Sequence, residues 1–268
     1  MSTIPQDLTP LEASLAYDAN NIAQCKLFSH LPQTIFYDDP GILWYTTGSP
    51  MDGFNGVLQT QLEPESTSGA IEHVYGYFQQ QHLPFLWFVG PSSRPANLGQ
   101  ILEEHGLAHV ETEPIMALDL RKMHTDIPVS SRLVIHPVTT PEQLLQWIRV
   151  WLFVCPEELI QQCFALYSGL DLYSQGPIRL YLGTIDGEPV ATSDLFLGEE
   201  AASVGHVVTL SDYRGQGIGG SMTLAPLQEA QKSGYTTGVL SASPMGISIY
   251  RRIGFQECGT FSVYGKES

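Results

Sequence analysis

A glycine-rich segment constrains the fold of this chain more than any other feature of its sequence. Residues 203–209 are rich in β-branched side chains, and the segment Arg214-Gly-Gln-Gly-Ile-Gly-Gly220 soon follows them, with four glycines in six residues. Each glycine inside a regular helix would cost up to about 1 kcal/mol relative to alanine. Glycines are useful where a backbone must approach a phosphate closely, at the N-terminus of a helix with its free N–H groups. We therefore predict a strand, a turn and a helix over residues 217–233 that begins at an anion-binding loop.

Two nucleotide-binding motifs are excluded by the residues around these glycines. Gly220 is followed by Ser221 rather than by Lys, so the Gly-x-x-x-x-Gly-Lys-Ser/Thr loop of nucleotide hydrolases is absent. The spacing Gly215-x-Gly217-x-x-Gly220 lacks the downstream acidic partner that dinucleotide-binding βαβ units have, which argues against dinucleotide redox chemistry. Neither nucleotide hydrolysis nor dinucleotide redox chemistry is therefore expected at this loop.

A second motif lies further along the chain and makes the pattern much more specific. It reads Ser243-Pro-Met-Gly-Ile-Ser-Ile-Tyr250-Arg-Arg-Ile-Gly254-Phe255. Together with Arg214-x-x-Gly217-x-Gly219, it resembles the GNAT superfamily of acyl-CoA-dependent N-acyltransferases over residues 203–256. Ser243 and Gly246 stand where that family usually has Asn and Ala, which weakens the second motif without removing it.

Periodicity and turn chemistry predict an α/β chain. Asp186-Gly187 between two apolar stretches predicts a type I′ hairpin turn. The predicted strands cover residues 42–45, 53–59, 84–90, 178–185, 189–197, 203–209, 237–241 and 255–264. The predicted helices cover residues 71–81, 97–105, 141–154, 156–167, 217–233 and 244–252. Pro226 falls inside the fifth of these helices, over residues 217–233, where it removes one backbone donor and should produce a kink.

The order of these elements and the resemblance imply two tandem GNAT-like lobes with a mixed sheet. The polar stretch around Pro128 predicts a boundary between residues 1–125 and residues 131–268. The second lobe carries the acyl-CoA-binding loop. The first lobe looks like a degenerate copy without that loop, because Pro91 and Pro95 remove amides that a phosphate site would use. We expect the first lobe to pack against the second and to form one wall of the substrate cleft. Most of its large aromatic side chains are expected to pack in a core.

The resemblance also implies roles for individual residues, with acetyl-CoA as the default donor. Backbone groups at the end of one strand would hold the pantetheine arm, and the loop amides would hold the pyrophosphate. The implied cofactor-binding residues are Val207, Val208, Thr209, Arg214, Gly215, Gln216, Gly217, Ile218, Gly219 and Gly220. Between Arg214 and Arg252 the sequence has four basic residues and one acidic residue, which suits a polyanionic cofactor.

Two side chains are candidates for proton transfer. Tyr250 would be the general acid that protonates the departing thiolate, and its alternative is a packed tyrosine of a helix. The general base is less well defined, because some family members have a Glu on the strand before the loop. In this chain that strand offers His206, whose alternative role is structural. Glu199, Glu200 and Asp194 are further alternatives, as an acidic lip that draws a cationic substrate.

Composition restricts the partners of the chain. The 12 basic and 28 acidic residues give a net charge of −16, which argues against binding to nucleic acid or to anionic membrane surfaces. The four cysteines lack the spacing of a disulfide or metal framework, so we expect no metal. The first seven residues resemble no targeting signal, and we expect a soluble, reduced, cytoplasmic protein. Whether two chains associate as a homodimer is left open.

The resemblance implies an N-acetyltransferase that acetylates a primary amine of a small molecule or peptide by direct attack on the thioester. The acidic surface favours a cationic acceptor. One rival is a non-catalytic acyl-CoA-binding or sensor protein that kept the loop and lost turnover. A second rival is a structural or interaction protein in which both lobes are relics.

Overall fold

The computed structural model of the protein describes residues 8–128, 130–173 and 176–266. Within these residues the chain forms seven α-helices and eleven β-strands. The helices are α1 (Pro10–Lys26), α2 (Pro64–Gln81), α3 (Leu98–Glu104), α4 (Pro141–Trp151), α5 (Glu157–Ser168), α6 (Ile218–Lys232) and α7 (Ile247–Ile253). The strands are β1 (Ile35–Asp39), β2 (Ile42–Thr46), β3 (Asn55–Thr60), β4 (Leu86–Val89), β5 (Ala108–Asp119), β6 (Leu133–Pro137), β7 (Ile178–Ile185), β8 (Glu188–Leu197), β9 (Ala202–Thr209), β10 (Thr237–Ser241) and β11 (Gln256–Gly265).

Packing divides the described residues into two compact units. The first unit comprises residues 8–20 and 114–259, and the second comprises residues 21–113 and 260–266. The lobes predicted from the sequence are residues 1–125 and 131–268. The two divisions differ because the chain passes from one unit to the other within α1, β5 and β11 rather than in the polar stretch around Pro128.

The first unit is built on strands β5 to β10. β6, β7, β8 and β9 form an antiparallel meander, while β10 pairs parallel with β9 and antiparallel with β5. The predicted hairpin turn joins β7 to β8, with positive φ at both Asp186 and Gly187. Helices α4 and α6 both pack against β8. Met116, Leu195, Met222 and Leu240 are among the buried residues of the core around α6.

The second unit has its own sheet and its own core. β1, β2 and β3 pair antiparallel, β3 pairs parallel with β4, and β4 pairs antiparallel with the end of β11. Its core contains Trp44, Ile71, Phe78, Trp87 and Leu98, all nearly fully buried. The expected core packing of the large aromatic side chains in this half is thereby confirmed for Trp44, Tyr45, Phe54 and Trp87. Parallel and antiparallel pairs occur in both units, which confirms the predicted mixed α/β fold.

Each helix and strand predicted from periodicity is present in the structure, with bounds shifted by a few residues at most except at α2. That helix begins at Pro64, and the structure adds α1, β1, β5 and β6 to the predicted elements. The first turns of α2 read Pro-Glu-Ser-Thr-Ser-Gly, which has no apolar periodicity. α6 continues through Pro226 as a helix of 15 residues.

Two irregularities of β9 shape the region between the end of this strand and the start of α6. The parallel ladder joins Ala202 to Gly238 and Ser203 to Val239, at the start of β9, and residues 204–209 continue beyond it. On the other side of β9, the pairing with β8 shifts register between Thr192 and Asp194, which is the mark of a β-bulge. The end of β9 then leads through a short turn to the first residue of α6.

Among the residues that the structure describes, none of the helices has the length and apolar character needed to cross a membrane. The expectation drawn from the first seven residues falls outside this part of the chain, and the cellular location stays a prediction.

Candidate active site

A pocket of about 660 Å³ opens in the first unit between the end of β9, the start of α6, and α7. Ten of the twelve residues that the sequence singles out line it; Gln216 is exposed in the loop and His206 does not line the pocket. The predicted residues in its wall are Val207, Val208, Thr209, Arg214, Gly215, Gly217, Ile218, Gly219, Gly220 and Tyr250. The structure thus brings the strand end, the glycine loop and the tyrosine of the second motif to one cavity.

The glycine loop turns sharply into α6. Gly215 and Gly217 have φ values of 76° and 78°, a left-handed conformation that side chains with a Cβ rarely adopt. Gly217 is the N-cap of α6, and the Ser221 amide makes an intrahelical bond to the Gly217 carbonyl at 3.2 Å. The amides of residues 218–220 precede this bond and have no acceptor within the helix. At the positive end of the helix dipole, such amides can donate hydrogen bonds to an anion.

The charges around the pocket favour an anion. Arg214 and Arg252 both line it, and no carboxylate occurs among its described lining residues. The Arg214 side chain is held at the loop because its Nε donates to the Thr209 carbonyl at 3.0 Å. The pocket is therefore positive within a chain whose net charge is −16.

Tyr250 lies on α7 with its ring mostly buried and in the wall of the pocket. Its ring rests against Gly246, since a Cβ placed on Gly246 would lie only 2.6 Å from Tyr250 Cε2. On another side the ring meets Phe255 edge-on, with ring centroids 6.0 Å apart. The absence of a side chain at residue 246 therefore makes room for the tyrosine ring, which gives this departure from the family motif a physical role.

His206 lies at the bulge of β9. Its Nδ1 is 2.8 Å from Asp194 Oδ2, and its ring meets the Trp151 ring edge-on with centroids 4.4 Å apart. Its side chain is 28% exposed, whereas the Asp194 side chain is 2% exposed. The interpretation of Asp194 as part of an exposed acidic lip is wrong, because that carboxylate is buried against the imidazole. Glu199 and Glu200 are exposed in the turn before β9, near the strand end opposite the loop.

Some residues of the site are missed by reasoning from the sequence. Phe153 and Met245 line the pocket and are 43% and 70% exposed. Ile127 and Pro128 also line it, although the sequence assigns them to a linker. Their apolar character inside a polar stretch is the signal that could have found them. Trp151 escapes notice because its periodicity is that of an ordinary core residue.

The chain resembles known proteins both in sequence and in structure. Residues 177–257 match the family model described as an acetyltransferase (GNAT) domain. Over 86 residues the chain is 35% identical to the mouse (Mus musculus) protein described as "Probable N-acetyltransferase family 8 member 5". That stretch covers 31% of this chain and 37% of the mouse protein, so the chain spans little more than a third of that relative.

Solved structures resemble the chain over nearly its whole length. A GCN5-related N-acetyltransferase from Kribbella flavida has a TM-score of 0.72 and 19% identity, covering 93% of this chain and 96% of that one. A tandem GNAT protein from the clavulanic acid biosynthesis pathway has a TM-score of 0.59 and 14% identity, covering 95% of this chain and 94% of that one. At these identities the likeness shows the fold alone, and the second structure confirms the tandem architecture predicted for the chain.

Proposed function

We propose that the protein transfers an acetyl group from acetyl-CoA to a primary amine, because residues 177–257 match the family model described as an acetyltransferase (GNAT) domain. The observation that carries the proposal is the pocket in which the start of α6, the end of β9 and Tyr250 meet. A helix N-terminus alone would suit any anion. Joined to an open strand end and a phenol in one cavity, it suits an extended donor with a phosphate-rich end and a reactive end.

The residues of the pocket fit the chemistry of acetyl-CoA. The amides at the start of α6 and the guanidinium groups of Arg214 and Arg252 would hold the phosphates. The backbone of residues 207–209, beyond the ladder with β10, would pair with the amides of the pantetheine arm. Apolar side chains such as Phe153, Met245 and Ile249 would cover the carbon chain. When bound, acetyl-CoA supplies an activated acetyl thioester, so that formation of the new C–N bond releases the CoA thiol.

Two side chains would move the protons that this exchange requires. His206 would take a proton from the ammonium of the acceptor, leaving the neutral amine as the nucleophile. Tyr250 would deliver a proton to the leaving sulfur and regain one from solvent. The proton count closes, because the acceptor gives up one proton on the way to the amine and a second on becoming an amide.

The acceptor would be a cationic small molecule or peptide. The chain has 28 acidic residues against 12 basic ones, and such a field attracts cations and raises their local concentration. Glu199 and Glu200 are exposed near the start of β9 and add to this field. Nucleic acid and other polyanionic acceptors are disfavoured by the same charge balance.

A thiol-release assay tests the proposal. The full chain is mixed with acetyl-CoA and a panel of primary amines that includes polyamines, amino sugars, amino acid amides and lysine peptides. We expect thiol release that depends on one class of amine, together with a mass increase of one acetyl group on that amine. Calorimetry with acetyl-CoA and with CoA accompanies the assay.

The two measurements separate the proposal from its rivals. Tight binding of the donor with no turnover on any amine would favour the sensor, a reading motivated by His206 and Ser243 at positions where the family often has Glu and Asn. Absence of binding to either compound at millimolar concentration would exclude both the enzyme and the sensor.

A further inference from the structure

We infer that Asp194 is a positioning residue that fixes the His206 imidazole with its proton on Nδ1 and its Nε2 free to accept a proton. This inference rests on the proposed function, since it gives His206 the role of base in acetyl transfer. It adds a positioning residue to the proposed reaction. The buried Asp194 carboxylate has no part in the roles proposed for the glycine loop and for Tyr250.

The backbone conformation at His206 is the first observation. Three residues other than glycine have positive φ among the residues that the structure describes: His82, Asp186 and His206. His82 caps the end of α2 and Asp186 begins a hairpin turn, where such conformations are ordinary. His206 lies inside a strand, at the bulge, with φ of 47°. A strained residue of this kind persists only where the surrounding structure holds it, and such residues concentrate at functional sites.

Hydrogen bonds to the bulge hold this conformation in place. Thr192 Oγ1 donates to the His206 carbonyl at 2.8 Å, and the Trp147 indole N–H donates to the Ser193 carbonyl at 3.1 Å. Thr192, Ser193 and Trp147 are all fully buried. The backbone on both sides of the bulge is thereby fixed by side chains from β8 and α4.

The contact between the Asp194 and His206 side chains determines which ring nitrogen carries the proton. Asp194 Oδ2 lies 2.8 Å from His206 Nδ1. An ionised carboxylate can only accept hydrogen bonds, so Nδ1 must carry the proton that is shared. In the neutral imidazole the other nitrogen, Nε2, is then left as the acceptor. Gly205 makes space for the carboxylate, since a Cβ there would lie 2.7 Å from Asp194 Oδ1.

Asp194 is the charged group that contacts the His206 ring in the described part of the chain, and the neighbouring helices contribute aromatic rings. Trp147 and Trp151 of α4 meet the imidazole edge-on, and Tyr167 of α5 lies behind them against both indoles. The indoles shield the pair from water, which strengthens the hydrogen bond to the buried carboxylate. The 28% exposure of the His206 side chain leaves part of the ring accessible from solvent.

Nitrogen NMR of the free protein tests the inference without any turnover. The chain has eight histidines, and His206 is assigned as the imidazole signal lost in the His206→Asn variant. Asn is chosen because it tolerates positive φ better than other side chains. We expect wild-type His206, at a pH where it is neutral, to show Nδ1 protonated and Nε2 free. In Asp194→Asn we expect a mixture of both tautomers, because an amide can either accept or donate.

Kinetics supply the second readout. Asp194→Asn is expected to lower kcat at least tenfold while the acetyl-CoA Kd changes less than threefold, since the pocket does not include this residue. His206→Asn is expected to lower kcat at least as much. The double variant should be no slower than His206→Asn alone, because a residue that acts through the imidazole has nothing left to position. Asp18→Asn is the matched control, as Asp18 is 3% exposed in α1 and is expected to keep wild-type kcat.

The outcomes distinguish this inference from the proposed function. Wild-type protein that turns over no amine contradicts the proposed function, and the NMR result still decides the placement of the proton. A wild-type His206 that carries its proton on Nε2 overturns the inference. So does a loss in the double variant equal to the product of the single losses, which would indicate that Asp194 acts independently of His206.

Discussion

The Tyr250 ring and Gly246 fit together as a pair at the scale of single residues. The family motif that the sequence resembles usually has Ala at the position of Gly246. Here the Tyr250 ring occupies the space that the alanine methyl group would take. The sequence identifies Tyr250 as a candidate, but it cannot show this contact. Motif matching treats each position separately, whereas packing couples them.

Replacing Tyr250 with Phe tests the proton-transfer role. We expect kcat to fall about 100-fold, because the phenol proton is lost while the ring remains. The acetyl-CoA Kd should change little. Tyr235→Phe is the control: its hydroxyl donates to the Gly198 carbonyl at 2.7 Å outside the pocket, so its loss should lower stability by about 1 kcal/mol and leave kcat unchanged. Unchanged turnover in Tyr250→Phe would remove the phenol from the mechanism.

Replacing Gly246 with Ala tests the packing of the same ring. Gly246 has φ of −83°, so alanine causes no backbone strain there. The added methyl group meets the Tyr250 ring at 2.6 Å, and the ring must move. We expect a reduced kcat with the protein still folded and acetyl-CoA still bound. A kcat equal to that of the wild type would show that the position of the ring is unimportant for turnover.

At the scale of elements, the candidate site is formed by the junction of β9, the glycine loop and α6. Its strand, turn and helix can be read from the sequence because glycine density, β-branched residues and helical periodicity all act locally. The bulge in β9 cannot be read in this way, since it depends on the register between two strands. The His206–Asp194 contact follows from that register and is equally invisible in the sequence. The extra elements α1 and β5 are missed because their polar residues obscure any periodicity.

A pair of glycine variants isolates the role of the loop. Gly215 and Gly234 both have positive φ, and a Cβ at either would meet nothing within 4 Å. Gly215→Ala and Gly234→Ala should therefore lower stability by a similar amount, about 1–2 kcal/mol each. Only Gly215 lines the pocket. We expect the acetyl-CoA Kd to rise at least tenfold in Gly215→Ala alone, and equal Kd values in the two variants would argue that the loop is merely a turn.

At the scale of the whole molecule, the boundaries of the two compact units differ from those of the two lobes predicted from the sequence. This difference predicts how a truncated chain will behave. Residues 131–268 include both motifs but lack Ile115–Asp119 of β5, which pair with all five residues of β10. Met116, Leu118 and Leu120 are buried in the core around α6. We expect a chain truncated to residues 131–268 to be insoluble or unfolded by circular dichroism, whereas residues 8–268 fold. A folded, acetyl-CoA-binding fragment would show that β5 is dispensable.

The cysteines give a second test of the packing of the whole molecule. Burial raises the pKa of Cys25 and Cys258 to about 11 and that of Cys163 to about 12. These three thiols should hardly react with an aromatic disulfide reagent at about pH 8, because the thiolate is the nucleophile. Unfolding in guanidinium should expose all four. Rapid reaction of the three in the native protein would contradict this packing, and their slow reaction would lower the background of the thiol-release assay.

The number of acetyl-CoA molecules that bind to the full chain tests most directly the central claim that the α6 pocket is the acetyl-CoA site. In the second unit, α3 has seven residues and is preceded by Pro91 and Pro95, so it offers no counterpart to the start of α6. Calorimetry with acetyl-CoA is therefore expected to give one site per chain, with the affinity reduced at least tenfold in Gly215→Ala and unchanged in Gly234→Ala. Two sites per chain, no binding at millimolar concentration, or identical binding by the two variants would contradict the assignment of the α6 pocket as the acetyl-CoA site.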